Sequence, residues 1–268
     1  TVSSGNDSDF NLTFKITGPK FKLTNAKLVV QLPDQVGVTF DQNLNKLKIA
    51  GVVPVYDIKK MTLTYNFKTL KSGSFKNLIL PLHTKKGVLP NGTVLTVTAK
   101  LTADELSTAA TATAHSSITA NKTSSITNKI VSVESADPEN ADHTNPAQND
   151  TAVWGVGITL LTSQNGQVAL QPGSDLVVTY KLAKGLTYKG LQSGEGLNMT
   201  TPTVTTNSDG STTLTWTFRA PDIDTQTASD INYRFNVITT VNDDVISYTT
   251  LTNTAGYQAT YYDGVTGG

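Results

Sequence analysis

Met61-Thr62-Leu63-Thr64-Tyr65-Asn66-Phe67 alternates apolar and polar side chains without a break. A strand turns successive side chains to opposite faces, so this run has one dry face and one wet face. The same period returns at Phe10, Leu12, Phe14 and Ile16, and at Val94 to Ala99. In the second half it returns at Leu176, Val178, Tyr180 and Leu182, then at Leu214, Trp216 and Phe218, and then at Ile231, Tyr233, Phe235 and Val237. Antiparallel sheets with one solvated side read this way. Gly18-Pro19, Pro90-Asn91-Gly92, Asn165-Gly166, Pro172-Gly173 and Asp209-Gly210 mark turns between the runs. Many short strands with regular turns predict an all-β sandwich architecture. One short helix is expected, from Thr102 as its cap to Ala110, with Glu105 three residues after the cap.

The chain has 268 residues, enough for one or two domains. Two are expected: 1–122 and 123–268, with a polar joint at Ala120-Asn121-Lys122-Thr123-Ser124. Charge supports the division. Residues 1–126 carry 15 Lys against 7 acids, a net of +8, whereas residues 127–268 carry 4 Lys and 2 Arg against 14 acids, a net of −8. The acidic stretch from Asp137 to Asp150 reads as a long exposed loop. Leu28 to Phe40 and Leu176 to Tyr188 share one form: a strand, a short turn, a small residue, then apolar-Thr-aromatic.

Cysteine is absent, which excludes disulfides and thiolate metal sites. No stretch approaches the roughly 20 apolar residues that span a bilayer, so membrane insertion is not expected. The three His share no ligand spacing, and no Gly-x-Ser-x-Gly elbow or phosphate-cradling loop is present. Asp137, Glu139, Asn140 and Asp142 cluster, as do Asp222 with Asp224 and Asn242 with Asp243 and Asp244. Oxygen ligands of this kind suit Ca²⁺, but none matches the twelve-residue calcium loop, and solvated turns are the expectation. No cofactor, metal, catalytic group or nucleic-acid partner is expected. Trp154 and Trp216 are expected in cores, as are Tyr257 and Tyr261, with Tyr262 facing outward.

Residues 28–40 (LVVQLPDQVGVTF) resemble Ig-like domains of Gram-positive surface adhesins, and residues 73–99 resemble their later strands. Residues 153–161 (VWGVGITLL), 173–188 (GSDLVVTYKLAKGLTY) and 251–262 (LTNTAGYQATYY) resemble the isopeptide-forming sandwich of collagen-binding adhesins and pilins. That resemblance implies two tandem Ig-like antiparallel sandwiches in a secreted, cell-wall-anchored surface protein, without enzymatic activity. The implied role is cell adhesion to a host extracellular matrix protein, a mucin or a glycan, acting as a monomer. A stalk or pilin-like spacer, or an accessory module of a secreted carbohydrate-active enzyme, are the alternatives. The resemblance also implies an isopeptide bond in the second domain. Lys129 would be the amine from the first strand, Asn253 the carboxamide from the last strand, and Asp175 the assisting acid. Burial lowers a Lys pKa and raises an Asp pKa, so a neutral amine can attack a carboxamide held by a neutral acid, with ammonia leaving.

Overall fold

The computed structural model describes residues 1–15, 22–139 and 144–262. Ile16, the Gly18-Pro19 turn, Asn140, Asp142 and His143 lie outside the described residues. The chain divides into two compact units. The first holds Thr1–Asn121 with residues 165–168 and Tyr262, and the second holds Lys122–Gln164 and Ala169–Tyr261. Both are built almost wholly of antiparallel strands, which makes the protein all-β.

The strands of the first unit are β1 (Val2–Ser3), β2 (Asp7–Lys15), β3 (Lys22–Gln31), β4 (Val38–Thr39), β5 (Val55–Asp57), β6 (Thr62–Lys71), β7 (Phe75–Thr84), β8 (Val94–Thr102) and β9 (Ala110–Thr119). Among the described residues they form one sheet in the order β1-β9-β8-β3-β6-β5 and a smaller one in the order β2-β7-β4. The two dry faces meet as the alternation requires. Leu63, Tyr65 and Phe67 of β6 are buried beside Leu28 and Val30 of β3, with Leu78, Leu80 and Leu82 supplied by β7. The Tyr65 hydroxyl, inside this core, donates to the Leu47 carbonyl at 2.9 Å. Burial pushes that phenol well above the ordinary tyrosine pKa.

The second unit holds β10 (Ser124–Glu134), β11 (Thr151–Leu160), β12 (Asp175–Leu182), β13 (Leu186–Gln192), β14 (Thr203–Thr206), β15 (Thr212–Arg219), α1 (Ile223–Ala228), β16 (Ile231–Val241) and β17 (Thr254–Ala259). One sheet runs β10-β11-β16-β13 and the other β14-β15-β12-β17. Their inner faces share a core containing Trp154, Tyr180, Trp216 and Phe235. The Trp216 and Phe235 rings stack across the sheets with centroids 4.2 Å apart. Each indole finds a partner: Trp154 Nε1 donates to Thr239 Oγ1 at 2.9 Å, and Trp216 Nε1 to the Thr200 carbonyl at 2.7 Å.

The helix expected from Thr102 to Ala110 does not form. Its intended capping carboxylate is used elsewhere: Glu105 Oε2 accepts from the Thr24 backbone N–H at 2.8 Å. That long-range bond satisfies the carboxylate without a helix, and residues 103–109 make turns instead. The α-helix of the second unit is α1, where Asp222 caps the backbone N–H of Thr225 at 2.7 Å.

The two echoing segments turn the same corner. In each unit the first strand (β3 or β12) and the next (β4 or β13) lie in different sheets. The small residue between them is a glycine with positive φ: Gly37 at 84° and Gly185 at 95°. A Cβ on Gly37 would come within 2.2 Å of Val88 Cγ2, and one on Gly185 within 2.5 Å of Val245 Cγ2. Both the backbone angle and the packing exclude a side chain there. Gly173 has φ of 73° but open space around it. Gly185→Ala should therefore lose about 2 kcal/mol or more, and Gly173→Ala about 1 kcal/mol, in denaturant unfolding. Equal losses would mean that the Val245 contact is dispensable.

The β14–β15 hairpin carries a second local test. Asp209 Oδ1 accepts from the Ser211 side chain and from its backbone N–H at 2.9 Å, while Oδ2 pairs with Lys181 Nζ at 2.9 Å. The Ser211 hydroxyl, then Lys181, hold the Asp209 carboxyl well below the ordinary carboxylate range. A depressed folded-state pKa stabilises above the unfolded value and is lost as the pH falls through the folded one. Asp209→Asn should melt below wild type at neutral pH, and that gap should close as the pH drops below about 4.

Candidate functional site

The three residues expected to form an isopeptide bond are not brought together. On β10, Asn128 and Ile130 turn toward the core side, so Lys129 between them turns outward and is exposed. Asp175, at the start of β12, is exposed and forms an ion pair with Arg219 Nη1 at 2.9 Å. Only Asn253 is buried. The residue meeting it from the first strand is Asn128. Asn128 Nδ2 donates to the Asn253 carbonyl at 2.9 Å, and Asn128 Oδ1 accepts from the Tyr180 hydroxyl at 2.9 Å. Asn253 Oδ1 accepts from the Ala183 N–H at 2.9 Å, leaving Nδ2 buried without a hydrogen-bond partner.

This polar tie joins β10 to β12 and to the residue preceding β17, but it contains no amine. Asn128 is an amide and cannot serve as the nucleophile that a Lys would supply. Burial raises the Tyr180 phenol far above its ordinary pKa, so it stays a neutral donor. The intact mass should therefore equal the sequence mass, with no ammonia lost. Tyr180→Phe should cost about 1 kcal/mol in chemical unfolding, because it removes the part-buried bond to Asn128.

The outer face of the β10-β11-β16-β13 sheet carries a different arrangement. β11 presents Gly155 and Gly157 there, two strand positions without side chains. Gly155 pairs with Lys129 on β10 and with Asn236 on β16, and Gly157 pairs with Thr127 and Arg234. The missing side chains leave a trough of about 370 Å³ along β11. Thr127, Lys129 and Val131 form one bank, Arg234 and Asn236 the other, and Leu197 reaches in from the loop after β13. That loop is pinned to the sheet, since Asn198 N donates to the Arg234 carbonyl at 2.7 Å and Asn198 Oδ1 accepts from the Arg234 N–H at 2.8 Å.

A side chain on either floor glycine would force a bank residue to shift. A Cβ on Gly157 would come within 2.6 Å of Thr127 Oγ1, and one on Gly155 within 2.8 Å of Val131 Cγ2. Lys129 and Arg234 are both exposed, and among the described residues neither has a carboxylate in ion-pair reach. Among the described residues, no acidic side chain lines the trough. By contrast Lys181 and Arg219 are each paired with an Asp. The strand signal for this site was Gly155-x-Gly157, two glycines at period two inside an apolar run. Arg234 carried no signal of its own.

Members of the acidic clusters make local hydrogen bonds. Asp137 Oδ1 accepts from the Glu139 N–H at 2.9 Å, and Asn242 Oδ1 from the Thr187 hydroxyl at 2.6 Å. Asp150, buried, closes the acidic loop by accepting from the N–H groups of Ala136 at 2.8 Å and Ala147 at 2.7 Å. Among the described residues, no group of three or more His, Asp or Glu converges as a metal site would require. Tyr257 and Tyr261 are half-buried with hydroxyls 3.3 Å apart, and Lys122 Nζ lies 4.8 Å from the Tyr261 ring centroid.

Residues 139–260 match the family described as "Uncharacterised plasmid protein pXO2-29, C-terminal domain". No curated protein matches the chain. Among solved structures it is similar to BcpA, the major pilin subunit of Bacillus cereus, with 10% identity and a TM-score of 0.32 over 97% of this chain and 66% of that one. Another similar chain comes from a structure described as manganese lipoxygenase of Gaeumannomyces graminis with partial zonadhesin of Komagataella pastoris. There the identity is 12% and the TM-score 0.24, over 96% of this chain and 87% of that one. Likeness at this distance leaves the functional reading to the residues of the chain itself.

Proposed function

We propose that this chain is a ligand-binding region of a cell-wall-anchored bacterial surface adhesin, secreted and non-catalytic, that attaches to a host matrix protein, mucin or glycan. The observation that carries the reading is the trough on the second unit, where two cations without acidic partners among the described residues flank a glycine floor. A folded chain ordinarily neutralises or scatters its cations. Leaving two of them facing one open groove is the arrangement of a surface that completes its electrostatics with a partner. The absence of cysteine and the Ig-like patterning of the sequence agree with a surface protein of this kind. Immobilised collagen, fibrinogen, mucin and a glycan array should reveal saturable binding by wild type, weakened about tenfold or more in Lys129→Ala/Arg234→Ala. Uniform silence across these surfaces removes the adhesin reading for this region.

A spacer role is favoured by one specific observation. Asn128 on the first strand of the second unit is hydrogen-bonded to Asn253, beside its last strand. A domain pulled by its ends is loaded through those strands, and this tie lies between them. Single-molecule stretching of wild type and Asn128→Ala would separate the roles, since a spacer should lose unfolding force and a ligand trough should not.

A further inference from the structure

We infer that the trough accepts a short, extended, acidic polypeptide segment, with its carboxylates on Lys129 and Arg234. This rests on the ligand-binding reading of the same site and names the chemistry of its partner. Shape comes first. The trough runs along β11 with a floor of two glycines and banks one side chain high, a form that fits one extended backbone rather than a helix. The bank from Thr127 to Val131 spans five strand residues and the facing bank from Arg234 to Asn236 three, room for about four or five residues of extended chain.

Charge selects the class of partner. Lys129 pairs with Gly155 and Arg234 with Gly157, so the two cations stand on opposite banks, offset by two residues along β11. An extended peptide repeats its same-face side chains about every 7 Å, which matches a two-residue offset along a strand. Glutamate or aspartate at alternate positions therefore presents carboxylates to both. Arg234 offers a forked donor set that holds a carboxylate in two bonds, and Lys129 offers a compact point charge.

The rest of the unit argues against other anions. Residues 127–268 carry 14 acidic residues against 6 basic ones, so a long polyanion such as nucleic acid or a sulfated glycan meets repulsion beyond these two cations. A segment whose charge is local avoids that. Among the described residues, no exposed aromatic ring lines the trough to serve as a sugar platform, since the aromatic found there, Phe235, is buried. Thr127, Asn236 and the apolar Val131 and Leu197 suit the backbone and uncharged side chains of a peptide.

The test uses the full chain and a fluorescent peptide of about five residues with glutamate at every second position, at low salt. Wild type should bind it, and about tenfold more weakly in half-molar salt. Lys129→Ala and Arg234→Ala should each weaken it about tenfold without changing the melting temperature, because both side chains are exposed. Lys129→Glu/Arg234→Glu should lose this peptide and gain one with lysine in place of glutamate. Wild type that ignores the acidic peptide, or binds it as tightly as the reversed variant does, overturns the inference. If the acidic peptide fails while collagen, mucin or a glycan still binds through Lys129 and Arg234, only the partner's chemistry is wrong. If none binds, the ligand-binding reading falls with it.

Discussion

Each strand of a pleated sheet turns successive side chains to opposite faces, and in this chain no disulfide supplements the packing that follows. Stability rests on the inner faces closing on each other. In the second unit the closure centres on Trp216 and Phe235, stacked across the two sheets, with Tyr180 and Trp154 beside them. Large rings bury much apolar surface, and here their polar atoms are satisfied by Thr200, Thr239 and Asn128. A shift of one residue in any of these strands would exchange core and surface along its whole length.

That parity also governs which functional groups can meet. Asn128 and Lys129 are neighbours in sequence yet serve opposite faces of the same strand. The inward one joins a part-buried hydrogen-bond tie with Tyr180 and Asn253. The outward one lines an open trough with Arg234. A cross-link needing a buried amine is thereby excluded at Lys129, and a solvent-facing cation becomes available. The glycines of β11 extend the same logic, because removing two successive side chains from one face of a central strand lowers that face without disturbing the core face. Val156 and Ile158, between and after them, remain fully packed.

Corners complete the architecture. The chain passes from one sheet to the other at Gly37 in the first unit and at Gly185 in the second, each with a left-handed backbone and a valine methyl against the missing side chain. Polar groups hold the connections: Asp150 closes the acidic loop, Asp222 starts the helix, and Asp209 orders the β14–β15 turn. Of the acidic residues that gathered in clusters along the sequence, Asp137 and Asp222 are acceptors for local backbone donors.

The alternation at 61–67, 176–182 and 231–237, the turn residues and the absence of cysteine were enough to establish an all-β chain, because side-chain period and turn chemistry are local properties. The glycine corners were foreshadowed in the echo between 28–40 and 176–188 for the same reason. Tertiary structure alone decided that Glu105 serves Thr24 rather than a helix, that Asn128 and not Lys129 meets Asn253, and that residues 165–168 join the first unit. It also decided that Arg234 stands across β11 from Lys129. These depend on register and on partners more than a hundred residues away in several cases, and a single chain read in order carries no record of which strand lies beside which.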